Sequence, residues 1–375
     1  MLKRPGAGMA LLAALGIGLS LAQWSQGDRS ATCSSDFLNF YTGARLAFSG
    51  HIYQPAAEKR VQYETLGCSG EHYGQFVRLP YFAALLWPLA QLPFGVALLV
   101  WRCLSVAAVV GFVWMWPGPR WRTLAVCAWS FPLMAAFAYG QDVPIVLLAA
   151  GAGIVLLGRE RDWEAGLCLA VGAAKPHLFV ILVLMILARR RWRAAPGLGA
   201  GGLAIAAVSF LTGGWGWPRE FWRTVTGPAG TPNPGAMINL HGIAYFFGAP
   251  LWIEAVVAAA FLALIAWASG RMPAPAGFAL ALAGGVLLGG HSYLYDLAFS
   301  IPLLLVVLAS PGIALWLKWA AGVFASPVVY LMPLSLAPPG LTHFLLPAFL
   351  VLTGIALALG RQEPKFAGAA LPAEG

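Results

Sequence analysis

Charged side chains are scarce in this sequence. Lys, Arg, Asp and Glu make up 10% of the 375 residues, against 60% hydrophobic residues. Soluble domains carry about 25% charged residues, so this composition excludes the soluble globular class. The mean hydropathy of +0.76 agrees with that exclusion. Segments of about 18 apolar residues can span a bilayer, and apolar segments occur from end to end of the chain. We therefore predict an all-α polytopic membrane protein.

Acidic residues are scarcer than basic ones, 14 against 23, which gives a formal net charge of +9. This excess does not indicate a nucleic-acid partner, because arginines cluster in short loops between apolar segments. Examples are "GPRWR" (118–122) and "ARRRWR" (188–193). Such clusters are typical of membrane-flanking anchors that contact anionic lipids. The sequence thus predicts membrane lipids as partners and no nucleic acid.

Cysteine is also scarce. The five cysteines are too few and too scattered for a metal cluster. Cys103, Cys127 and Cys168 fall in apolar segments and are predicted to be ordinary core residues. Cys33 and Cys68 lie in a polar segment, where an oxidising compartment would allow a disulfide. The sequence leaves a disulfide and two free thiols equally open.

The apolar segments predict about 10–12 transmembrane helices in a single membrane domain, residues 1–360, followed by a disordered cytoplasmic tail, 361–375. The first segment could be a cleavable signal peptide, but we favour an uncleaved helix with Lys3 and Arg4 in the cytoplasm. The predicted segments are 7–24, 79–93, 94–116, 122–139, 143–158, 165–188, 196–212, 250–268, 276–290, 292–309, 311–332 and 341–359.

Simple crossings by all twelve segments place two basic loops, 119–122 and 159–163, outside, against the positive-inside rule. In the alternative topology, 79–93 and 165–188 are re-entrant, broken at Pro80 or Pro88 and at Pro176, and about ten helices cross. Both versions leave the same three parts of the chain on the outer face. These are the first extracytoplasmic loop, 25–78, the second large outer loop, 213–240, and the turn at 290–292.

Within the first outer loop, aromatic residues recur at helical spacing in "DFLNFYTGARLAFS". This spacing predicts an amphipathic helix at 36–49, lying on the membrane surface, and a second short helix at 56–66. Asp36 stands at the start of the first helix, and aspartate is among the best N-cap residues. On this evidence Asp36 either caps the helix or carries chemistry.

Several motifs occur in a recognisable order: "SDFLNFYTGARLAFSGHIYQP" (35–55), "RLPYFAALLWPLAQLPFGVALLVWR" (78–102), "YGQDVPIVLLAAGAGIVLL" (139–157), "GLCLAVGAAKPHLFVILVLMILARRRWR" (166–193) and "GGHSYLYDLAFSIPLLL" (289–305). Together they resemble polyprenyl-phosphate-sugar-dependent glycosyltransferases of the C-type fold, closest to family 87, which contains mycobacterial mannolipid mannosyltransferases. Two motifs depart from the family. "RLPYF" stands where a Tyr-Pro-Pro is common, and "GAMINLHG" (235–242) matches only loosely.

The resemblance implies a bacterial inner-membrane enzyme with its site facing outward. It would move a hexose, for which the family suggests mannose, from a polyprenyl-phosphate donor to a lipid or glycan acceptor by single displacement. Asp36 is the implied general base, and His291 is expected to stabilise the donor phosphate. No Asp-x-Asp motif surrounds Asp36, which favours a metal-independent reaction without cofactors.

The expected substrate-binding residues come from their positions in the sequence. Arg45 and Arg78 lie on the outer face and either hold the donor phosphate or pair with acids of the loop. Lys175, His177 and Gln141 are polar residues in or beside apolar segments, and they either contact the substrate or support a helix break. Tyr41 and Asn239 complete the set, and Asn239 lines an acceptor site or is an ordinary polar loop residue.

A secondary transporter, or a flippase or permease for lipid-linked substrates, is the alternative function. Such proteins are also polytopic and use broken intramembrane helices. They often contain inverted repeats, whereas this sequence shows no internal repeat. Its densest polar cluster also lies in an outer loop rather than at the membrane midplane. Sugar transfer is therefore the favoured prediction.

Overall fold

The computed structural model describes Cys33 and residues 35–68, 74–227, 233–327 and 341–360. Within these ranges every regular element is helical, as the composition predicted. The predicted first segment, 7–24, and the tail, 361–375, lie outside the described residues. In chain order the α-helices are α1 (Asp36–Arg45), α2 (Pro55–Leu66), α3 (Pro80–Ala90), α4 (Phe94–Met115), α5 (Arg120–Trp129), α6 (Phe131–Tyr139), α7 (Val143–Gly158), α8 (Asp162–Ala170), α9 (Pro176–Ala188), α10 (Ala194–Gly213), α11 (Trp217–Thr226), α12 (Leu240–Phe246), α13 (Leu251–Arg271), α14 (Ala274–Leu288), α15 (Ile301–Ala309), α16 (Leu315–Ala325) and α17 (Leu341–Gly360).

Three of the described helices, α4, α10 and α13, are long and apolar enough to cross a bilayer. They have 22, 20 and 21 residues, and at 1.5 Å per residue each covers about 30 Å, the thickness of a hydrocarbon core. Six shorter apolar helical stretches accompany them, so the chain is a polytopic membrane protein. These stretches are Pro80–Ala90, Val143–Gly158, Pro176–Ala188, Ala274–Leu288, Leu294–Ala309 and Leu346–Gly360.

The predicted segment 165–188 is broken, and the break lies at Pro176 as the alternative topology required. Helix α8 ends at Ala170, a 3₁₀ helix covers Val171–Ala174, and α9 begins at Pro176. Proline lacks a backbone N–H and disfavours helical geometry in the residue before it, so the helix stops and restarts there. Lys175 is left in the gap between the two helices. The break thus places helix ends and a buried charged side chain inside an apolar segment.

Other predicted segments are also divided. The segment 122–139 separates into α5 and α6 at Ser130, whose side chain accepts a hydrogen bond from the Leu133 N–H at 3.4 Å. The segment 292–309 begins as a 3₁₀ helix, Leu294–Ser300, and continues as α15. These divisions shorten several helices below a full span. They also place helix ends, with their free backbone groups, within the bundle.

The first outer helix differs from its prediction. Helix α1 ends at Arg45 rather than at 49, and seven of its ten residues are buried. Helices α2 and α3 and the segment around Phe76 pack over it, so closely that a side chain at Gly43 would overlap the Phe76 ring. The helix is amphipathic as predicted, because its three residues that are not buried are the polar ones, Asp36, Asn39 and Arg45. Its buried face packs on protein, and its placement on the membrane surface stays a prediction.

The second predicted short helix, α2, is confirmed within one residue. It ends at Gly67, which has a left-handed φ of 72°. A disulfide joins Cys33 to Cys68, which resolves the alternative that the sequence left open. The two cysteines are 35 residues apart, and closing such a loop contributes about 4 kcal/mol in the chain-entropy model. Of the remaining cysteines, Cys127 is buried as predicted, whereas Cys103 is exposed on α4.

Two hydrophobic cores organise the described chain. The outer core combines α1, α2, α3 and the first half of α4, from Phe37 to Trp101. The larger core extends from Phe112 to Ala358 and includes α7, α9 and α14. Helix α7 touches both, because Ile145 packs against the outer core while Val146 lies in the larger one. The start of α7 therefore lies at the junction between the two cores.

Candidate active site

A chain of buried ion pairs crosses the junction between the two cores. Arg78, just before α3, donates from Nε to Asp142 Oδ2 at 3.1 Å and from Nη2 to Asp142 Oδ1 at 3.3 Å. Lys175, in the break before α9, lies 3.6 Å from Asp142 Oδ1 and 2.9 Å from Asp296 Oδ1. The four side chains are at most 10% exposed. Because the charges alternate, each buried ion has a partner that offsets its desolvation cost.

Asp36 lies at the edge of this series of ion pairs. It is the first residue of α1 and not its N-cap. Ser35 occupies the cap, and its side chain accepts a hydrogen bond from the Leu38 N–H at 3.3 Å. The capping explanation of Asp36 is therefore wrong. Among the described residues no ion pair involves Asp36; the Gln141 side chain hydrogen-bonds its carboxylate instead. The residue also stays partly exposed, unlike Asp142 and Asp296.

The surroundings of Asp36 favour its protonated form. Burial raises the pKa of its carboxyl above the usual 3.8, against the opposing effects of the Gln141 hydrogen bond and of the positive charges on Arg78 and Lys175. Asp142 differs, because the guanidinium of Arg78 and the ammonium of Lys175 outweigh burial and hold its pKa below the ordinary value. A carboxylate with a raised pKa and no cation bonded to it is suited to accept a proton.

A tight turn before α7 separates Gln141, which lies beside Asp36, from Asp142, which binds the two cations. Gly140 has a φ of 67°, and a side chain there would lie 2.6 Å from Phe37 Cβ, so the turn approaches α1 closely. The Trp101 indole donates to the Gly140 carbonyl at 2.9 Å and fixes the turn. Gln141 then bonds Asp36, while Asp142 bonds the two cations. The Gln141 Oε1 atom is buried and has no partner within the described chain, so its amide N–H is the group that donates to Asp36.

Two histidines form a further part of the site. The rings of His177, in the first turn of α9, and His291 stack with their centroids 4.2 Å apart. Burial lowers the pKa of His291 to about 4; Asp296 opposes this shift, and Lys175 and Arg78 reinforce it. His291 is therefore neutral near pH 7 in this structure. The His177 Nε2 atom is buried and lacks a hydrogen-bond partner among the residues described, which leaves it free to bond a ligand.

The loop that carries His291 is held at several points. Asn239 donates from Nδ2 to the Gly289 carbonyl at 2.7 Å, and the Ile238 N–H donates to the Ser292 carbonyl at 3.2 Å. The Ser292 hydroxyl donates back to the Val286 carbonyl at 2.9 Å. Asn239 also caps α12 by accepting from the Gly242 N–H at 3.0 Å. Asn239 thus supports the loop, and both ends of its amide are already bonded.

The structure brings together Asp36, Arg78, Gln141, Lys175, His177 and His291, six of the residues that the sequence singled out. It does not bring Tyr41 and Arg45 to them. Tyr41 is buried in the outer core, and its hydroxyl donates to the Leu92 carbonyl at 2.8 Å. Arg45 is the last residue of α1, about 13 Å of helix from Asp36, and donates to the Ala90 carbonyl at 3.3 Å. Both contacts join α1 to the segment around α3.

Sequence reasoning missed Asp296. It falls inside the predicted apolar segment 292–309, in "HSYLYDLAFS". An acidic residue within an apolar segment is a recognised signal of function, and this one could have been noticed on that ground. Its neighbour Tyr295 was missed too, and the Lys175 ammonium lies 5.1 Å from the centre of the Tyr295 ring. Tyr295 and Asp296 thus connect the histidines with the ion pairs.

A metal does not fit the described residues. None of their groups of His, Cys, Asp and Glu has the three or more members needed to hold an ion. Asp142 and Asp296 are already engaged by the cations of Arg78 and Lys175. The arrangement offers different chemistry: a carboxylate for a proton, two fixed cations for an anion, and two neutral imidazoles. Metal independence itself stays a prediction.

Comparison with known proteins points to one family. A family model described as glycosyltransferase family 87 matches residues 76–291, more than half of the chain. The matched range includes Arg78, Gln141, Lys175, His177 and His291, whereas Asp36 lies before it. No solved structure gives a significant match.

Two curated proteins are similar to the chain. Both are named polyprenol-phosphate-mannose-dependent alpha-(1-2)-phosphatidylinositol pentamannoside mannosyltransferase. The protein from Mycolicibacterium smegmatis is 28% identical over 262 residues, covering 64% of this chain and 62% of the relative. The protein from Mycobacterium tuberculosis is 26% identical over 261 residues, covering 63% of this chain and 59% of the relative. The chain thus spans about three-fifths of the length of each relative.

Proposed function

Because the chain belongs to glycosyltransferase family 87, we propose that it transfers mannose from a polyprenyl-phosphate donor to a hydroxyl of a lipid-linked glycan. The donor and the acceptor class follow the printed names of the two mycobacterial relatives. One observation carries the proposal for the site. Of the carboxylates at the junction, Asp36 alone has no ion pair within the described residues and keeps partial exposure.

The reaction is a single displacement at the anomeric carbon of the donor sugar. The acceptor hydroxyl oxygen forms a bond to that carbon while Asp36 takes the hydroxyl proton. The bond between the carbon and the phosphate oxygen breaks, and its electron pair leaves with the polyprenyl phosphate. Asp36 is suited to this step because Gln141 orients its carboxylate and its pKa is raised. The Gln141 Oε1 atom, buried and unpartnered in the described chain, is available to accept a bond from a sugar hydroxyl.

The departing phosphate gains one negative charge, so the site must stabilise an anion. Arg78 and Lys175 lie near Asp36 and supply N–H donors that Asp142 and Asp296 hold in place. His177 and His291 supply imidazole N–H groups, which can hydrogen-bond phosphate oxygens without being charged. Preorganised donors of this kind act strongly where water is excluded. His291 thus acts as a hydrogen-bond donor to the phosphate rather than as a permanent cation.

We further propose that the site faces the extracytoplasmic side of a bacterial cytoplasmic membrane. The disulfide between Cys33 and Cys68 supports this orientation, because structural disulfides persist in oxidising compartments and α1 begins next to Cys33. The basic segment around Arg189 and Arg191 supports it from the opposite end of α9, since positive loops favour the cytoplasm.

Cysteine labelling tests this orientation. We expect Gly290→Cys to react with an impermeant maleimide added to intact cells, and Trp192→Cys to react only after the cells are opened. Both positions suit the probe, because Gly290 is exposed with open space around its Cα and Trp192 is 61% exposed. The three free cysteines would be replaced and the disulfide retained. Labelling of both positions from the same side would contradict the proposed topology.

An in vitro transfer assay tests the function itself. Purified protein in lipid nanodiscs, given radiolabelled polyprenyl-phosphate mannose and a phosphatidylinositol-mannoside acceptor, should form a radiolabelled glycolipid. Asp162→Asn is a matched control for a change at Asp36. Like Asp36, Asp162 begins a helix, but it lies at the Arg191 end of the bundle, 3.3 Å from that arginine. Transbilayer movement of the donor in proteoliposomes without any transfer would contradict the proposal and favour the transporter alternative.

A further inference from the structure

We propose that Asp296 is a positioning residue that holds Lys175 against the phosphate of the lipid donor and couples it to the His291 loop. This inference rests on the proposed function, because it assigns the phosphate end of that site. Asp296 is 1% exposed, so its carboxylate is fully engaged by protein groups. Unlike Arg78, Asp142 and Lys175, it lies beyond the range of the family match, which ends at residue 291.

Both oxygens of the Asp296 carboxylate are used, on two different elements. Oδ1 accepts from the Lys175 ammonium at 2.9 Å, across the break between α8 and α9. Oδ2 accepts from the backbone N–H of Tyr293 at 2.9 Å. Tyr293 follows His291 by two residues, so one buried carboxylate links the cation to the loop that carries the histidine. A shift of either group would strain the other.

Lys175 depends on Asp296 more than on Asp142. The distance to Asp142 is 3.6 Å, and both oxygens of Asp142 are bonded by Arg78. An ammonium has three N–H groups, and these two carboxylates use at most two of them. The remaining N–H is available for a phosphate oxygen. The groups whose charges and rings surround Lys175 are Asp36, Arg78, Asp142, His177, His291, Tyr295 and Asp296.

Several hydrogen-bond donors converge at this position, which suits the oxygens of a phosphate ester. The compact ammonium of Lys175 and the forked guanidinium of Arg78 are each held by carboxylate partners. The His177 Nε2 atom has no partner in the described chain, and its ring stacks on that of His291. Asp296 does not touch the reacting atoms. It acts through Lys175, by keeping that ammonium in place before the donor arrives and so reducing the cost of ordering it on binding.

A double-mutant cycle on lipid-phosphate binding tests the coupling. The probe is polyprenyl phosphate, titrated into purified protein in nanodiscs, so that the result does not depend on turnover. Asp296→Asn and Lys175→Met should each weaken binding roughly 10- to 100-fold, the range for a lost charge-assisted hydrogen bond. The double variant should bind no more than about twofold worse than Lys175→Met, because Asp296 then has nothing left to position.

Matched variants separate positioning from a general effect on the fold. Ser300→Ala changes the same 3₁₀ helix, and its Oγ is buried without a partner in the part of the chain that is described, so its affinity should equal that of the wild type. Asp296→Glu keeps the charge and should recover part of the loss. If Asp296→Asn alone is too unstable to purify, Asp296→Glu takes its place in the cycle, because it keeps the charge but moves the carboxylate: it should weaken binding in the wild type and have no further effect in the Lys175→Met background.

Additive losses in the cycle, or a normal affinity in Asp296→Asn, would overturn the proposal. So would a wild-type protein that does not bind polyprenyl phosphate. If the wild type binds it and the cycle is non-additive, but no sugar is transferred in the assay above, the positioning role stands and the proposed transferase function fails. In kinetic assays of an active enzyme, Asp296→Asn should raise the donor KM and leave the acceptor KM unchanged.

Discussion

Replacing Asp36 with asparagine should lower sugar transfer at least about 100-fold while the protein still folds, inserts and binds the lipid donor. Asparagine has the same size and can accept the Gln141 hydrogen bond, but it cannot take a proton from an acceptor hydroxyl near neutral pH. Stability should change little, because Ser35 and not Asp36 caps α1. Initial rates with purified protein, together with donor binding, measure both effects.

Two further variants sharpen the Asp36 experiment. Ser35→Ala removes the cap and should cost about 1 kcal/mol of stability with turnover largely retained. Asp162→Asn makes the same chemical change at the start of another helix and should remain active. In the wild type, activity requires ionised Asp36, so the acid limb of the kcat/KM profile should lie above pH 3.8, in the direction of the raised pKa. An active Asp36→Asn enzyme would end the assignment of Asp36 as the base.

Replacing His291 with alanine should lower turnover about 10²- to 10³-fold, the usual result of losing one preorganised donor to a developing anion. The loop itself should persist, because its hydrogen bonds come from Asn239, Ile238 and Ser292 rather than from the imidazole. Initial rates and thermal stability of the purified variant measure the two effects separately.

The neutral state of His291 gives this prediction a second part. Because burial lowers its pKa to about 4, the role proposed for it needs only an N–H donor, which glutamine also has. His291→Gln should therefore recover about a tenfold rate over His291→Ala. His51→Ala, at an exposed position beyond α1, is the matched histidine control. A near-normal rate in His291→Ala would contradict the phosphate role. Equal rates in the glutamine and alanine variants would contradict a neutral donor.

Local features of the fold could be predicted from the sequence, because they depend on neighbouring residues. Apolar composition determined the helical membrane class, since a bilayer accepts only segments that satisfy their own backbone hydrogen bonds. Helix α7 was predicted with its observed bounds, and α2 to within one residue. The break at Pro176 was one of two alternatives that the sequence left open, and it follows from the chemistry of proline. Each of these inferences uses residues within a few positions of one another.

Sequence reasoning named six residues of the site, two of them, Asp36 and His291, through the resemblance to a family, but the partners of these residues remained unknown. Arg78 and Asp142 are 64 positions apart, and Lys175 and Asp296 are 121 apart. No helical period or motif spacing connects residues at such distances. For the same reason the sequence placed Tyr41 and Arg45 among the substrate contacts, although in the structure they join α1 to the segment around α3.

Tertiary structure alone decided the charge state of Asp36, Asp142 and His291. Both aspartates stand at the start of a helix, yet Asp36 has no cation bonded to it, whereas Asp142 is paired with Arg78 and Lys175. The difference arises because the turn at Gly140 brings Gln141 to α1 and turns Asp142 toward the helix break. Likewise His291 is neutral because the packing of α9 buries it against His177. Charge state depends on burial and on partners from distant segments, and only the packed chain brings these together.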